Sequence, residues 1–378
     1  MGRLKESLLA YALLSPALLL LGFFGIFPVG YALYVSLHKW LITPGEYVGF
    51  LNYQKALGEG KGVLLLLAGF FWFFSVRFLL WLKGHRLASS ARRSTLIKSL
   101  LCLPGLLLLL AAARSISHTG DPRFLRGLRV TTMYAIYSIP LQLSIALGLA
   151  YLLHQKLAGK GLYRTVFFLP YVTPIMASAI VFRSLMTPRE SGVANRILGI
   201  LRIKPLRWLS EDDNLLQVLF SQMGWTVDLP VWLEAWLPSL ALASIIFYNV
   251  WVYVGYDMLI FMAGLTQIPP ELLDAAAIDG ANRRGVLRHV ILPLLSPTLY
   301  FLSVIALIGT FKAFNHIYVL RTPSAQGTAD TASILIFDTF FKKNNAAYAS
   351  CLSLLLFAVI LSLTLIQRRL VGRRVFYG

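Results

Sequence analysis

Pro269-Pro270-Glu271-Leu272-Leu273-Asp274-Ala275-Ala276-Ala277-Ile278-Asp279-Gly280-Ala281 is a short acidic, alanine-rich run between two long apolar segments. Two prolines can open a helix there, because the first helical N–H groups have no intrahelical acceptor in any case. Gly280 can close it in the left-handed conformation. About ten helical residues are too few to be stable alone, so the segment needs support from elsewhere. Ala275, Ala276 and Ala277 leave the backbone open to close approach, while Glu271, Asp274 and Asp279 offer acceptors to basic groups. The pattern suits a docking knob on the inner face of a membrane.

Working outward, the rest of the chain is overwhelmingly apolar. Of 378 residues 57% are hydrophobic and only 13% charged, which describes a polytopic membrane protein with no soluble domain of ordinary size. The expected fold is all-α, with about eight apolar segments long enough to cross a bilayer of roughly 30 Å. They are residues 8–37, 63–82, 97–113, 130–153, 166–185, 237–265, 290–314 and 348–366. Segment 97–113 is the shortest. Segment 8–37 is longer than a signal-peptide core and lacks a small-residue cleavage site after it, so it is expected to be a retained helix.

Lys and Arg are about twice as dense in the connections that face inward when both termini are placed inside, which favours that topology. The net charge of +19 would suit nucleic acid, but the basic residues flank apolar segments and form no groove interleaved with aromatics. Membrane lipid, anionic at its surface, is the expected neighbour. Cys102 and Cys351 read as small buried hydrophobes, and the six histidines have no ligand spacing, so no metal site is expected. The sequence has no GxSxG, Walker-type phosphate loop or HExxH. Energy for uphill work must therefore come from a partner or an ion gradient.

Residues 61–115 read as an added apolar hairpin, and its connecting loop 83–98 carries basic residues that act as a topology determinant. A polar stretch, 188–236, lies outside and contains the amphipathic run Asn214-Leu215-Leu216-Gln217-Val218-Leu219-Phe220. That run fits either a packed outer loop or a helix on the membrane surface.

Several motifs together resemble one family. Ile268-Pro269, Asp274-Ala275-Ala276-Ala277-Ile278-Asp279-Gly280-Ala281 and Arg288-His289-Val290-Ile291-Leu292-Pro293-Leu294-Leu295-Ser296-Pro297 look like the EAA loop of permease subunits of binding-protein-dependent ABC importers. The resemblance is to the sugar and glycerol-phosphate branch. Pro140-Leu141-Gln142-Leu143, Gly159-Lys160-Gly161-Leu162-Tyr163-Arg164-Thr165, Leu169-Pro170-Tyr171-Val172-Thr173-Pro174, Gly255-Tyr256-Asp257-Met258, Phe261-Met262-Ala263-Gly264-Leu265 and Tyr348-Ala349-Ser350 fit it too.

The resemblance implies a six-helix type I importer core with an extra N-terminal hairpin. It divides the chain into 1–60, the hairpin 61–115 and a core 116–378, with the coupling loop at 266–293. It also implies a multi-pass protein of a bacterial or archaeal inner membrane with both termini cytoplasmic. Its partners would be a second related permease, two ATP-binding subunits carrying ATP and Mg, and an extracytoplasmic solute-binding protein. The chain would itself catalyse nothing, bind no cofactor and bind no nucleic acid. The coupling residues by resemblance are Glu271, Asp274, Ala275, Ala276, Asp279, Gly280 and Ala281. Asp274 stands where the family has Glu, Leu287 replaces an aromatic, and 321–327 is not the expected Gly-rich loop.

Polar groups inside a bilayer are costly enough to be functional candidates. Asn249, Tyr253, Asp257, Lys312, Asn315 and Tyr318 lie in or near two helices that the resembling architecture places around the solute pathway. Asp257 with Lys312 fits either a charge pair between helices or solute contact. Two rival functions are an ion-coupled secondary transporter, which needs intramembrane carboxylates and usually repeated halves, and a membrane scaffold, which needs no polar pathway.

Overall fold

The computed structural model describes residues 2–58, 60–83, 91–155, 158–190, 192–225, 230–325, 327–372 and 375. Residues 84–90 of the basic loop at 83–98, together with Arg373 and Arg374, lie outside them. The regular elements among the described residues are helical, and the strand-like pairings are two isolated bridges, His38 with Tyr47 and Asn214 with Ser239. The chain divides into two compact units, residues 1–126 with 335–355 and residues 127–334 with 356–378.

In the first unit, α1 (Gly2–Leu20), a π-helical turn (Leu21–Ile26) and α2 (Phe27–Ser36) make one apolar span over Leu9–Ser36. The short α3 (Leu51–Leu57) follows, with its Tyr53 hydroxyl 2.8 Å from Ser36 Oγ. Helices α4 (Gly60–Lys83) and α5 (Ala91–Thr119) form the expected hairpin. A Cβ at Gly62 would run into Ile116 and one at Gly69 into Leu109. Missing side chains at those two positions let the helices approach closely, as small residues do in membranes. At the foot of the hairpin, the Asp121 backbone N–H donates to Ala56 O at 3.1 Å and the Tyr348 hydroxyl to Asp121 Oδ2 at 2.7 Å. The two ends of the hairpin thus meet directly.

The second unit holds most of α6 (Pro122–His154), which is followed by α7 (Lys160–Val172) and α8 (Ile175–Leu185). Residues 166–185 are expected as one span, but α7 and α8 meet at 98°. The cause is local: Pro174 disfavours the helical conformation at the residue before it, and Thr173 is extended at φ −69°, ψ 138°. The lobe between α8 and α12 carries α9 (Val193–Ile200), α10 (Leu215–Gln222) and α11 (Val231–Glu234). In α10, Val218 is buried against Leu206 and Leu240, so the amphipathic run at 214–220 packs one face into the lobe, as a packed loop helix does.

Helix α12 (Leu240–Leu265) starts where Ser239 Oγ accepts from the Leu242 N–H and is buried along most of its length. At Gly255 a Cβ would meet the backbone of Phe167 and Phe168, and at Gly264 the side chains of Thr298 and Leu295. These two glycines bring α12 against α7 and the following span. That span is bent as well. After α13 (Pro270–Ile278) come α14 (Arg283–Val286), a π-helical stretch (Leu287–Ile291) and α15 (Leu292–Leu294), which meet α16 (Ser296–Phe311) at 65°. Pro297 lies in the first turn of α16, where its missing N–H costs no helical bond, so a new helix starts there instead of continuing the old one. Helices α17 (Asn315–Leu320), α18 (Ala332–Phe337) and α19 (Ala346–Leu370) complete the chain.

Candidate functional site

Asn249, Tyr253, Tyr256 and Asp257 recur on α12 at spacings of three and four, which puts them on one face of the helix. They line a cavity of about 300 Å³ with Gln142 from α6, Tyr171 from α7, and Lys312, Asn315 and His316 from the end of α16 and the start of α17. Five of the six pathway candidates therefore share one space. The sixth, Tyr318, is not among the lining residues; its ring packs against Phe314 and lies under the Arg321 guanidinium, 4.8 Å from centroid to Cζ.

Asp257 is 3% exposed, and its Oδ2 accepts from Gln142 Nε2 at 2.7 Å. Gln142 Oε1 in turn accepts from Asn249 Nδ2 at 3.2 Å. The hydrogen-bond partner of Asp257 is thus Gln142, and the charge pair with Lys312 is not formed. Gln142 occurs in the resembling motif at 140–143 but was assigned no role by sequence. The rule that intramembrane polar groups are costly applies to it as much as to Asn249 and would have found it. In the same lining, Tyr171 stacks on Tyr256 with centroids 4.6 Å apart and planes at 21°, and meets Tyr253 edge-on at 5.9 Å. Amide, carboxylate and ammonium groups in one cavity with stacked tyrosines can bind a polyhydroxylated solute by hydrogen bonds and ring stacking.

Behind the cavity, Tyr134 Oη lies 2.8 Å from His316 Nε2, and the Tyr248 hydroxyl lies 2.6 Å from Ser178 Oγ while donating to Ile175 O at 2.8 Å. Both tyrosines are fully buried. These contacts tie α6 to α17 and α12 to α8. They join residues too far apart in the chain for any local pattern to reveal.

At its other end, α12 leads into the loop 266–293. Asp257 stands about 12 Å along the axis from Leu265, at 1.5 Å per residue. Helix α13 has Pro269 and Pro270 at its start and Gly280 at φ +73° after its end. The Ala281 N–H bonds Ala276 O and the Gly280 N–H bonds Ala277 O, so the left-handed glycine satisfies the final carbonyls. Leu273 packs inward with Ile268 and Leu287. Glu271, Asp274, Ala275, Asp279, Gly280 and Ala281 are exposed, and Ala276 is half-buried. The helix also presents Ile278, 86% exposed, and Leu272, 43% exposed. An apolar side chain that open, on a short helix that also exposes Glu271, Asp274 and Asp279, is suited to contact with a partner protein.

Residues 122–376 match the family described as binding-protein-dependent transport system inner membrane component. The chain is 31% identical to the probable ABC transporter permease protein YesP of Bacillus subtilis over 66% of this chain and 72% of that one. It is 29% identical to the trehalose/maltose transport system permease protein MalF of Thermococcus litoralis over 65% of this chain and 73% of that one. In fold it is similar to a chain of the bacterial alginate ABC transporter solved in complex with an alginate pentasaccharide-bound periplasmic protein, with a TM-score of 0.57 and 21% identity over 78% of this chain and 99% of that one.

Proposed function

From the premise that this chain belongs to the binding-protein-dependent transport system inner membrane components, and is a membrane permease subunit of an ABC importer, we propose that it conducts a sugar, oligosaccharide or glycerol-phosphate-like solute. The observation that carries the solute class is the cavity, which Gln142, Asn249, Asp257 and Lys312 line together with the Tyr171–Tyr256 stack. Relatives named for trehalose and maltose transport support the same class.

In this reading the solute arrives from an extracytoplasmic binding protein, and a second related permease completes the pathway. Two cytoplasmic ATPase subunits, holding ATP and Mg, seat α13 in a socket, while this chain hydrolyses nothing itself. Closure of the ATPase pair moves α13, and α12 carries that movement toward Asp257 and the cavity. The coupling loop then faces the cytoplasm, as do both termini, and the outer lobe faces away from it. Helix α12 supports this separation: its 26 residues span about 39 Å between lobe and coupling loop, enough to cross the hydrocarbon core.

Reconstitution with the ATPase, the second permease and the binding protein tests the proposal. Solute uptake should require ATP and the binding protein, and collapsing the proton and sodium gradients should leave it intact. Uptake driven by an ion gradient without ATP would overturn the importer reading in favour of a secondary transporter. A fluorescent maleimide on Ile278→Cys should react only from the ATPase side, and one on Asp213→Cys only from the opposite side.

A further inference from the structure

The outer lobe carries an apolar ridge that is exposed among the described residues. Helix α9 turns one face inward, where Asn195 is 3% exposed. Its Nδ2 donates to Thr187 O, Arg189 O and Leu206 O, and its Oδ1 accepts from the Leu206 N–H at 3.1 Å and Trp208 Nε1 at 2.9 Å. Leu198 packs beside Asn195 against the Leu206–Leu240 cluster. This network fixes the rotation of the helix about its axis, and hence what the other face presents. That face shows Val193, Ile197 and Ile200, spaced four and three apart, and then Leu201, with exposures from 49% to 81%.

Three exposed cations, Arg196, Arg202 and Lys204, accompany the ridge. Arg202 holds the left-handed conformation at φ +58°, and the Ile203 N–H bonds Leu198 O while the Arg202 N–H bonds Gly199 O. This is the helix-ending turn in which glycine is the usual residue. An arginine there is strained where glycine would not be. The strained position carries a long cationic side chain next to Ile200, the most exposed isoleucine of the helix. Helix α10, the other lobe helix with exposed apolar residues, differs in its surroundings. Beside it, Glu211, Asp212 and Asp213 gather their carboxylates within 4.8 Å of one another, and burial together with the Asp213 charge raises the pKa of Glu211.

We infer that α9 is an interfacial anchor: its ridge inserts among the acyl chains of the leaflet on the side opposite the coupling helix, and Arg196, Arg202 and Lys204 bind phospholipid phosphates. Large aliphatic residues on one face with cations beside them are the composition such helices use. The lobe also joins α8 to α12, whose ends at Leu185 and Leu240 are where the chain leaves and re-enters the membrane. The inference rests on the membrane assignment and not on the identity of the solute. An anchored lobe would hold the outer mouth of the pathway at a fixed height while α12 moves.

The test uses the full chain with Cys102→Ser, reconstituted in vesicles of phosphatidylethanolamine and phosphatidylglycerol. A nitrobenzoxadiazole label is placed at Ile200→Cys or at the exposed control Asp213→Cys. Brominated acyl chains should quench the Ile200 label at least about twofold more than the Asp213 label, and aqueous iodide should show the reverse order. Arg202→Gly keeps the turn without the cation, and it should lower bromolipid quenching at Ile200; the triple change to Glu at positions 196, 202 and 204 should lower it further. Equal iodide quenching at the two sites, with no bromolipid effect, would overturn the anchor. So would shielding of Ile200 that develops only when the binding protein is added, because the ridge would then belong to a protein interface. Neither outcome bears on uptake, so failure here is distinguishable from failure of the transport function.

Discussion

Helix α13 and the cavity are two polar regions of the second unit, and they are built in opposite ways. Helix α13 is local: its prolines, its glycine turn and its exposed face come from consecutive residues. It keeps that face in the open, where Ile278 and three carboxylates await a partner. The cavity is non-local, assembled from α6, α7, α12 and the α16–α17 junction, and its key carboxylate is buried and held by an amide more than a hundred residues away in the chain. A docking element gains by being preformed and exposed. A solute site inside a membrane must instead pair every buried polar group it contains.

The sharpest way to break the comparison is to damage the local element alone. Gly280→Val places a β-branched residue at φ +73°, which unwinds the closing turn of α13 and is expected to abolish uptake while the chain still inserts and assembles. Normal uptake measured in that variant would remove α13 from the coupling mechanism.

The non-local element should respond to a change far from it in sequence. Gln142→Leu removes the donor to Asp257 and leaves a buried carboxylate without its hydrogen bond, a loss of about 2–3 kcal/mol. The expected result is a roughly 30- to 100-fold loss of solute-stimulated ATPase at sub-saturating solute. Gln142→Asn should recover only part of it. Full activity in Gln142→Leu would mean that Asp257 needs no support from α6.

Smaller effects separate docking from packing. Ile278→Ser removes about 1–2 kcal/mol of apolar burial in an ATPase socket but nothing from the isolated chain, because the residue is 86% exposed. Affinity for the ATPase should fall about tenfold with the thermal stability of the isolated chain unchanged. A fall in stability instead would show that Ile278 packs within this chain.

The smallest expected change comes from the hairpin. Its ends already meet where the Asp121 N–H bonds Ala56 O, so replacing α4 and α5 by a short polar linker should leave solute-stimulated ATPase per assembled complex nearly unaltered while lowering the yield of complexes. Loss of that activity in properly assembled complexes would place the hairpin in the mechanism.

The sequence by itself determined the all-helical membrane character, because apolar length and basic flanks are properties of consecutive residues. It also determined the short helix α13, where proline and glycine act on their own neighbours, and it grouped Asn249, Tyr253 and Asp257, because helical spacing already puts them on one face. Pro174 stood in the sequence beside Thr173, yet apolar length alone joined α7 and α8 into one span; the direction and size of the bend were decided in space. Tertiary structure alone decided that Asp257 is answered by Gln142 and not Lys312, that Tyr134 reaches His316, and that the ridge of α9 is bare while Val218 of α10 is covered. Those facts depend on which helices come within about 3 Å of one another, and no local propensity encodes a contact between residues that only packing brings together.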